Sequence, residues 1–312
     1  MLNLHQLEIF YVVAGSRTFG EAADKLYISQ PAVSQQIKSL EASVGTRLFE
    51  RSRRGISLTP GGRTLLEYTR EILRLVAVAE NAVTNVHNLS EGTVTVGATP
   101  NVSSYLLPEW IRAFRETYPK LTPVANTGTT TEITEDVLSN QLDLGFVEGE
   151  MHIDVAPRLR YQVLKDVPQL VVVGNQHAWW GRAMISIDEL ADQSFVMRQR
   201  NSHTRIWLEQ VLGSFGITPK VVGEFDNPEA IKHAAISSKY VTVLPEYALS
   251  KELELNLLHA VHLQDEAGNQ ALHRQLKIVW NTDRILSPVA RAFVALLKET
   301  LFPQLTGVID LS

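Results

Sequence analysis

Cysteine is absent from all 312 residues. That excludes disulfide staples, thiolate metal sites, a cysteine nucleophile and any sensor that works by thiol oxidation. Long hydrophobic runs are absent as well. Stretches such as Leu170–Gly174 fall far short of the ~20 apolar residues that a membrane span needs. The opening MLNLHQLEIF lacks the basic segment and apolar core of a secretion signal, so a cytoplasmic protein with no membrane partner is expected. The usual catalytic signatures are missing too: HExxH, a P-loop, a GxGxxG after a strand, or a credible Ser/His/Asp order. Neither an enzyme, nor a catalytic or metal-binding residue, nor a bound cofactor is therefore expected.

What is present is ordinary for a globular chain, with 45% hydrophobic and 20% charged residues. At about 100–200 residues per domain, two or three domains fit the length. The net charge of −5 argues against a polyanionic partner only until it is resolved along the chain. Residues 1–63 carry eight Lys and Arg against five Asp and Glu, a net of +3, which leaves −8 on the rest. A small basic head on a large acidic body points to nucleic acid at the head.

The head reads as short helices. Leu7, Phe10, Tyr11 and Ala14 follow the spacing of one apolar helix face. Ala22, Ala23 and Leu26 give a second helix, broken at Tyr27–Ile28. Ser29 suits the cap of a third, with Pro31 in its first turn, where a missing N–H costs little. Val33, Ile37 and Leu40 share one side of it, and Pro31, Ser34, Gln35 and Lys38 the other. Two strand-like runs, Leu48–Glu50 and Ile56–Leu58, then flank a basic tip at Arg51, Arg53 and Arg54. Gln and Lys on an exposed helix face suit base edges and phosphates, and a basic hairpin suits the backbone. The same face also reads as plain solvated surface.

Thr59 and Pro60 open a long helix as cap and first residue. Leu65, Tyr68, Ile72, Leu75, Ala79, Ala82, Val86 and Leu89 recur at spacings of three and four, the a/d seam of a coiled coil. Such a helix, to about Asn88, would run roughly 45 Å. A partner helix from a second copy is the expectation; packing on its own domain is the alternative.

From Thr93 strands and helices alternate. Thr93–Gly97, a helix Ser104–Tyr118, Pro123–Thr127, a helix Ile133–Ser139 and Leu144–Glu148 read as βαβαβ with a parallel sheet. A longer strand, Leu164–Gly174, leaves that unit for a second set: Phe195–Met197, a helix Thr204–Phe215, Lys220–Glu224, a helix Pro228–Ile236 and Tyr240–Leu244. Leu276–Asn281 and a helix Pro288–Leu301 close the chain. Two α/β lobes joined by crossing strands predict a hinged cleft for a small molecule.

The string Phe19-Gly-Glu-Ala-Ala-Asp-Lys-Leu-Tyr-Ile-Ser-Gln-Pro-Ala-Val-Ser-Gln-Gln-Ile-Lys38, with Leu40-Glu41, Gly45, Leu48-Phe49-Glu50-Arg51 and Leu58-Thr59, strongly resembles the reader of LysR-type transcriptional regulators. The resemblance extends over the whole chain. It implies an α/β fold with an N-terminal winged helix-turn-helix and a long linker helix joining it to a two-lobe, periplasmic-binding-protein-like effector domain. The corresponding boundaries are 1–59 for the reader, 60–89 for the linker and 93–303 for the effector domain. The first lobe takes about 93–163 and 270–303, the second about 164–269. The resemblance implies a homodimer through Leu65, Tyr68, Ile72, Leu75, Ala79, Ala82 and Val86, assembled into a homotetramer. It also implies double-stranded promoter DNA as an interrupted palindrome, RNA polymerase as a partner, and a small-molecule effector. Carried over by position, Ser29, Gln30, Pro31, Ser34, Gln35 and Lys38 face the major groove, and Arg51, Arg53 and Arg54 serve the wing. Gly20 stands where the family usually has a Ser or Thr helix cap, and Gln35 where Arg is frequent.

For the effector, Thr99, Asn101 and Ser103 follow the first strand, Thr129 the second and Glu148 ends the third. Asn201, Ser202, His203 and Asn227 belong to the second lobe. Several precede helices, whose free N–H groups suit anions, and strand ends in one sheet converge on such sites. Each hydroxyl also reads as a plain helix cap. Phe146-Val-Glu-Gly149 and Glu229–Ala234 are similar to the CysL-like and CbbR-like branch, whose members respond to small anions or phosphorylated metabolites. Asn101, His203 and Ser237-Ser-Lys239-Tyr240 depart from that branch, which has Ser or Thr, Gly, and a Gly-containing turn there. A solute-binding protein or an α/β enzyme with an unrelated helical head are the competing readings.

Overall fold

The computed structural model describes residues 2–52, 55–84, 91–151, 158–263 and 272–302. The chain divides into two compact units, Met1–Asn88 and Leu89–Ser312.

The first unit opens with α1 (Leu4–Ala14), α2 (Phe19–Leu26) and α3 (Gln30–Val44). Each is capped by a side-chain oxygen. Asn3 accepts from the His5 N–H, Thr18 from Glu21 and Ser29 from Ala32. The α2 cap is thus Thr18, and Gly20 lies within the first turn, where no cap is needed. Tyr27 ends α2 in the left-handed conformation (φ 55°). An antiparallel hairpin follows, β1 (Phe49–Ser52) against β2 (Gly55–Leu58). Glu41 on α3 sets where it begins, because its Oε1 accepts from the backbone of Leu48 at 2.7 Å and Phe49 at 3.3 Å. Phe10, Val13, Ala22, Val33, Ile37, Leu40 and Leu48 fill the core.

The long helix α4 (Pro60–Thr84) starts under Thr59, whose hydroxyl donates to Arg47 O and accepts from Gly62 N–H. Gly62 is obligatory by contact: a Cβ there would lie 2.2 Å from Leu48 O. The apolar stripe of α4 is divided between two surroundings. Leu65, Leu66 and Ile72 pack on the head's own core. Tyr68, Leu75 and Ala79 are exposed. The side chain of Ala82 and the positions Val86 and Leu89 lie outside the described residues.

The second unit holds one continuous sheet. Its first lobe is built from β3 (Gly92–Ala98), α5 (Pro100–Tyr105), α6 (Leu107–Thr117), β4 (Leu121–Thr127), α7 (Thr130–Leu138) and β5 (Leu144–Glu148). The strands β3, β4 and β5 run parallel. The one helix expected over Ser104–Tyr118 is two. Pro108 has no N–H to return to residue 104, so the chain breaks at Leu106 and restarts. The crossing strand β6 (Leu159–Gly174) is longer than its apolar run. Its first part pairs antiparallel with β12 (His273–Asn281), as far as Pro168. From Gln169 on it pairs with β10 (Val241–Pro245).

The second lobe contains β7 (Met184–Ile185), β8 (Ser194–Arg198), α8 (His203–Ser214), β9 (Lys220–Phe225), α9 (Pro228–Ile236), β10, α10 (Ser250–Glu254) and β11 (Leu258–Leu263). Here β9, β8 and β10 are parallel, and β11 lies antiparallel on β6. The last helix, α11 (Pro288–Thr300), buries Val289, Phe293 and Leu297 in the first lobe's core, which closes the chain back on its starting sheet. Helices thus cover both faces of each lobe, as parallel strands require. No helix among the described residues is long and apolar enough to cross a membrane.

Candidate functional site

In the first unit, Ser29, Gln30, Pro31, Gln35 and Lys38 are exposed along the start and outer side of α3, with Ser34 half-buried between them. Val33, Ile37 and Leu40 are buried on the opposite side. The 3.6-residue period therefore leaves Gln35 and Lys38 to project from a rigid, anchored helix. Ser34 and Lys38 border a groove of about 620 Å³, whose other wall includes Arg47, Glu50 and Phe49 from β1 and the turn before it. Arg47, exposed there, was not singled out by the sequence pattern. Arg51 lies in β1 opposite Ile56. Arg53 and Arg54 lie outside the described residues.

In the second unit, a cavity of about 30 Å³ opens between the lobes. Six of the nine expected effector residues line it: Thr99, Asn101, Thr129, Glu148, Ser202 and His203. The other three lie outside it. Ser103 shares a hydrogen bond of 2.5 Å with Thr127, Asn201 is exposed, and Asn227 is occupied as the cap of α9. Five further residues complete the lining, Pro100, Thr130, Arg198, Thr204 and Arg274. Arg198, the last residue of β8, and Thr204, in the first turn of α8, are the two ends of the second-lobe stretch 198–204. Arg274 comes from β12, far along the chain, and reaches the cavity because β12 lies beside β5 with Leu276 opposite Glu148.

Glu148 is the polar centre of the seam. Arg274 Nη1 lies 3.0 Å from Glu148 Oε1, both side chains being 2% exposed, and Nη2 donates to Glu148 O at 2.7 Å. Gln169 donates to Oε1 at 3.1 Å, and the Tyr247 hydroxyl donates to Oε2. Burial, and then the Glu148 charge, pushes the Tyr247 hydroxyl well above its usual range, so it stays a donor. Gly149 explains the glycine after Glu148. Its φ is +92°, and a Cβ would lie 2.1 Å from Arg274 Nη2. Arg274 Nη1 also donates to Thr204 Oγ1 at 3.0 Å in the other lobe. His203 Nε2 meets Thr131 Oγ1 at 3.3 Å across the same seam, so it serves as a hydrogen-bonding bridge.

Arg198 is different. It is buried, and among the described residues its guanidinium has neither an ion pair nor a hydrogen bond. Burial pushes its pKa down, opposed by the charge of Asp226. Four buried atoms of the lining are unpartnered: Thr99 Oγ1, Asn101 Oδ1, Arg198 Nε and Arg274 Nε. The helix starts also separate. The start of α7 is filled by the protein's own anion, since Thr129 and Glu132 form a reciprocal capping box. The start of α8 is not: Ser202 is buried yet makes no side-chain cap bond. The turn Ser237–Tyr240 has no residue at positive φ and does not line the cavity, so its departure from a glycine turn is accommodated without strain. Among the described residues no group of three or more His, Asp or Glu side chains could hold a metal ion.

Two family models match the chain. The bacterial regulatory helix-turn-helix of the lysR family covers residues 4–63, and the LysR substrate binding domain covers 87–302. The chain belongs to the LysR family of transcriptional regulators. It is a DNA-binding regulator with an effector-binding domain, not an enzyme. Among its relatives, the HTH-type transcriptional regulator CysL of Bacillus subtilis is 30% identical over 305 residues, 96% of this chain and 98% of that protein. A probable RuBisCO transcriptional regulator of Chlorokybus atmophyticus is 31% identical over 294 residues, 93% of each. The fold matches a full-length OxyR variant from Pseudomonas aeruginosa (TM-score 0.73, 22% identity, 96% of this chain and 95% of that one). It also matches full-length CbnR in complex with its target DNA (TM-score 0.68, 19% identity, 96% and 99%).

Proposed function

We propose that the regulator is gated by a small anion held in the interlobe cavity, and that this sets how a homodimer, paired again as a homotetramer, engages a two-fold promoter site. The observation that carries the reading is Arg198, a buried guanidinium with no partner among the described residues, beside the uncapped start of α8. A charge left unpaired in a closed site is expensive unless a ligand meets it. The seam around it offers the second requirement, contacts that exist only when the lobes are together: Tyr247 to Glu148, Arg274 to Thr204, and His203 with Thr131. A ligand shifts such an equilibrium by its differential affinity for the two states, so an anion that binds only between closed lobes biases closure. The changed spacing of the readers then alters DNA bending and contact with RNA polymerase.

At the DNA, exposed Gln35 and Lys38 read the major groove, and Arg47 with the arginines of the hairpin holds phosphates. The exposed residues Tyr68, Leu75 and Ala79 supply the face for a second copy. The test is fluorescence anisotropy of the full chain on the DNA upstream of its own gene, across a salt series and with a panel of anions. Binding that weakens steeply with salt, and changes with at least one anion, is the expected result. No binding at low salt would overturn the assignment of the reader face, and indifference to every anion would overturn the gating.

A further inference from the structure

The lining of the interlobe cavity also limits what kind of anion fits, an inference that rests on the anion-gated reading above. Its volume of about 30 Å³ corresponds to roughly two or three water-sized spheres, each needing ~10–15 Å³. A sugar phosphate or a nucleotide would extend beyond it through its open side. A central atom with two or three oxygens fits within it.

The charges set a second limit. Three lining side chains carry full charge: Glu148, Arg198 and Arg274. Glu148 and Arg274 neutralise each other at 3.0 Å, both inaccessible to solvent. One positive charge is left, on Arg198. The acid whose charge acts on it, Asp226, is exposed and forms no ion pair with it. A neutral ligand would leave that charge unmet. A dianion would bring in one negative charge too many, and uncompensated charge in a closed site is costly. The unpartnered atoms give the third limit. Arg198 Nε and Arg274 Nε are obligate donors, the Thr99 hydroxyl donates by rotation, and the Asn101 amide presents either a donor or an acceptor. All four belong to residues that line the cavity with Ser202 at the open start of α8, whose first N–H groups also donate.

We propose that the effector is a compact monovalent oxyanion of the nitrite, nitrate, formate or hydrogencarbonate class, with Arg198 as its charge partner. The Glu148–Arg274 pair is the selectivity element, because it holds the second arginine's charge out of play and keeps the cavity's net charge at one.

The test is calorimetric titration and thermal melting of the full chain at constant ionic strength, with a bulky organic anion as the background salt. One set holds sodium nitrite, nitrate, formate and hydrogencarbonate. The other holds sulfate, inorganic phosphate, phosphoenolpyruvate and ribulose bisphosphate. At least one monoanion is expected to raise the melting temperature and to bind at least tenfold more tightly than every member of the second set. Arg198→Gln should weaken that binding by roughly ten- to a hundredfold, the range of a lost charge-assisted hydrogen bond, and Arg198→Lys should retain part of it. Tighter binding of a dianion or phosphate ester than of every monoanion, or an unchanged Kd in Arg198→Gln with folding intact, overturns the proposal and leaves anion gating standing. If no anion of either set binds while promoter DNA still does, the anion-gated reading itself fails.

Discussion

Glu148 and Arg274 form an ion pair at 3.0 Å that solvent does not reach, and Tyr247 meets the same carboxylate from the second lobe. Removing one partner strands the other in a dry seam. Glu148→Gln is expected to lower the stability of the full chain by about 3 kcal/mol or more, the usual consequence of leaving half of a buried pair. Changing Arg274 to Met in the same chain should recover a large part, since no charge is then left buried and the amide at 148 keeps Gln169 and Tyr247 as donors to its oxygen. Urea unfolding followed by circular dichroism measures both. A Glu148→Gln chain as stable as the parent would show that water reaches the pair.

The capping box at α7 predicts a pH dependence of known sign. The Thr129 N–H and hydroxyl hold the Glu132 carboxyl below its ordinary value of 4.5. A carboxyl depressed in the folded state contributes stability that is fully present above its unfolded pKa and is lost as pH falls through the folded one. Glu132→Gln should therefore melt lower than the parent at pH 7. Below pH 4.5 the two should converge as the parent's carboxyl takes up its proton. Thr129→Ala should cost about 1 kcal/mol at pH 7, as for other lost helix caps. Coincident melting temperatures of parent and Glu132→Gln at pH 7 would show that the carboxylate contributes nothing.

Much of this architecture is legible in the sequence because its signals are local. Ser29 with Pro31, Thr59 with Pro60, and the alternation of short β-rich runs with helical periods all act within a few residues. The cavity is legible only where the same holds. Thr99, Asn101, Thr129, Ser202 and His203 follow strand ends, and strand ends of one sheet converge. Arg274 gives no such sign. It stands inside β12, and only the antiparallel register against β5 brings it to Glu148. Asn227 shows the reverse: it sits at a helix start like the others, but its side chain is consumed by Ala230 N–H and Asp226. On α4 a period of 3.5 marks an apolar stripe without saying which chain covers it. In the structure Leu65 and Ile72 are taken by the head itself.

That division of α4 separates folding from assembly. Leu75 is 40% exposed and Leu65 is packed on the core of the head. Leu65→Glu is expected to unfold the head, because it buries a charge without a partner. Leu75→Glu should leave the head folded and shift the chain toward monomer, with a larger loss of affinity, relative to the parent, on a two-half-site operator than on an isolated half-site control. Sedimentation with circular dichroism on both variants decides it. A Leu75→Glu chain that keeps the parent's mass would place the interface on another surface.

The two kinds of contact expected at α3 differ in what their loss does. Gln35 is exposed on the helix face opposite Val33, Ile37 and Leu40, so its amide is free to pair with a base edge. Lys38 and Arg47 border the groove beside it and carry charge suited to phosphates. Gln35→Ala should cost about 1–3 kcal/mol on the preferred operator and much less on altered ones, flattening the preference at the base it meets. Lys38→Ala or Arg47→Ala should weaken binding evenly across operators, and each lost phosphate contact should reduce the slope of log K against log salt by about 0.9. Binding of each variant to an operator library at several salt concentrations separates the roles. An even loss across the library for Gln35→Ala would move that residue to the phosphate-holding set. A sequence-selective loss for Lys38→Ala would place its ammonium on a guanine edge, the other partner its reach allows.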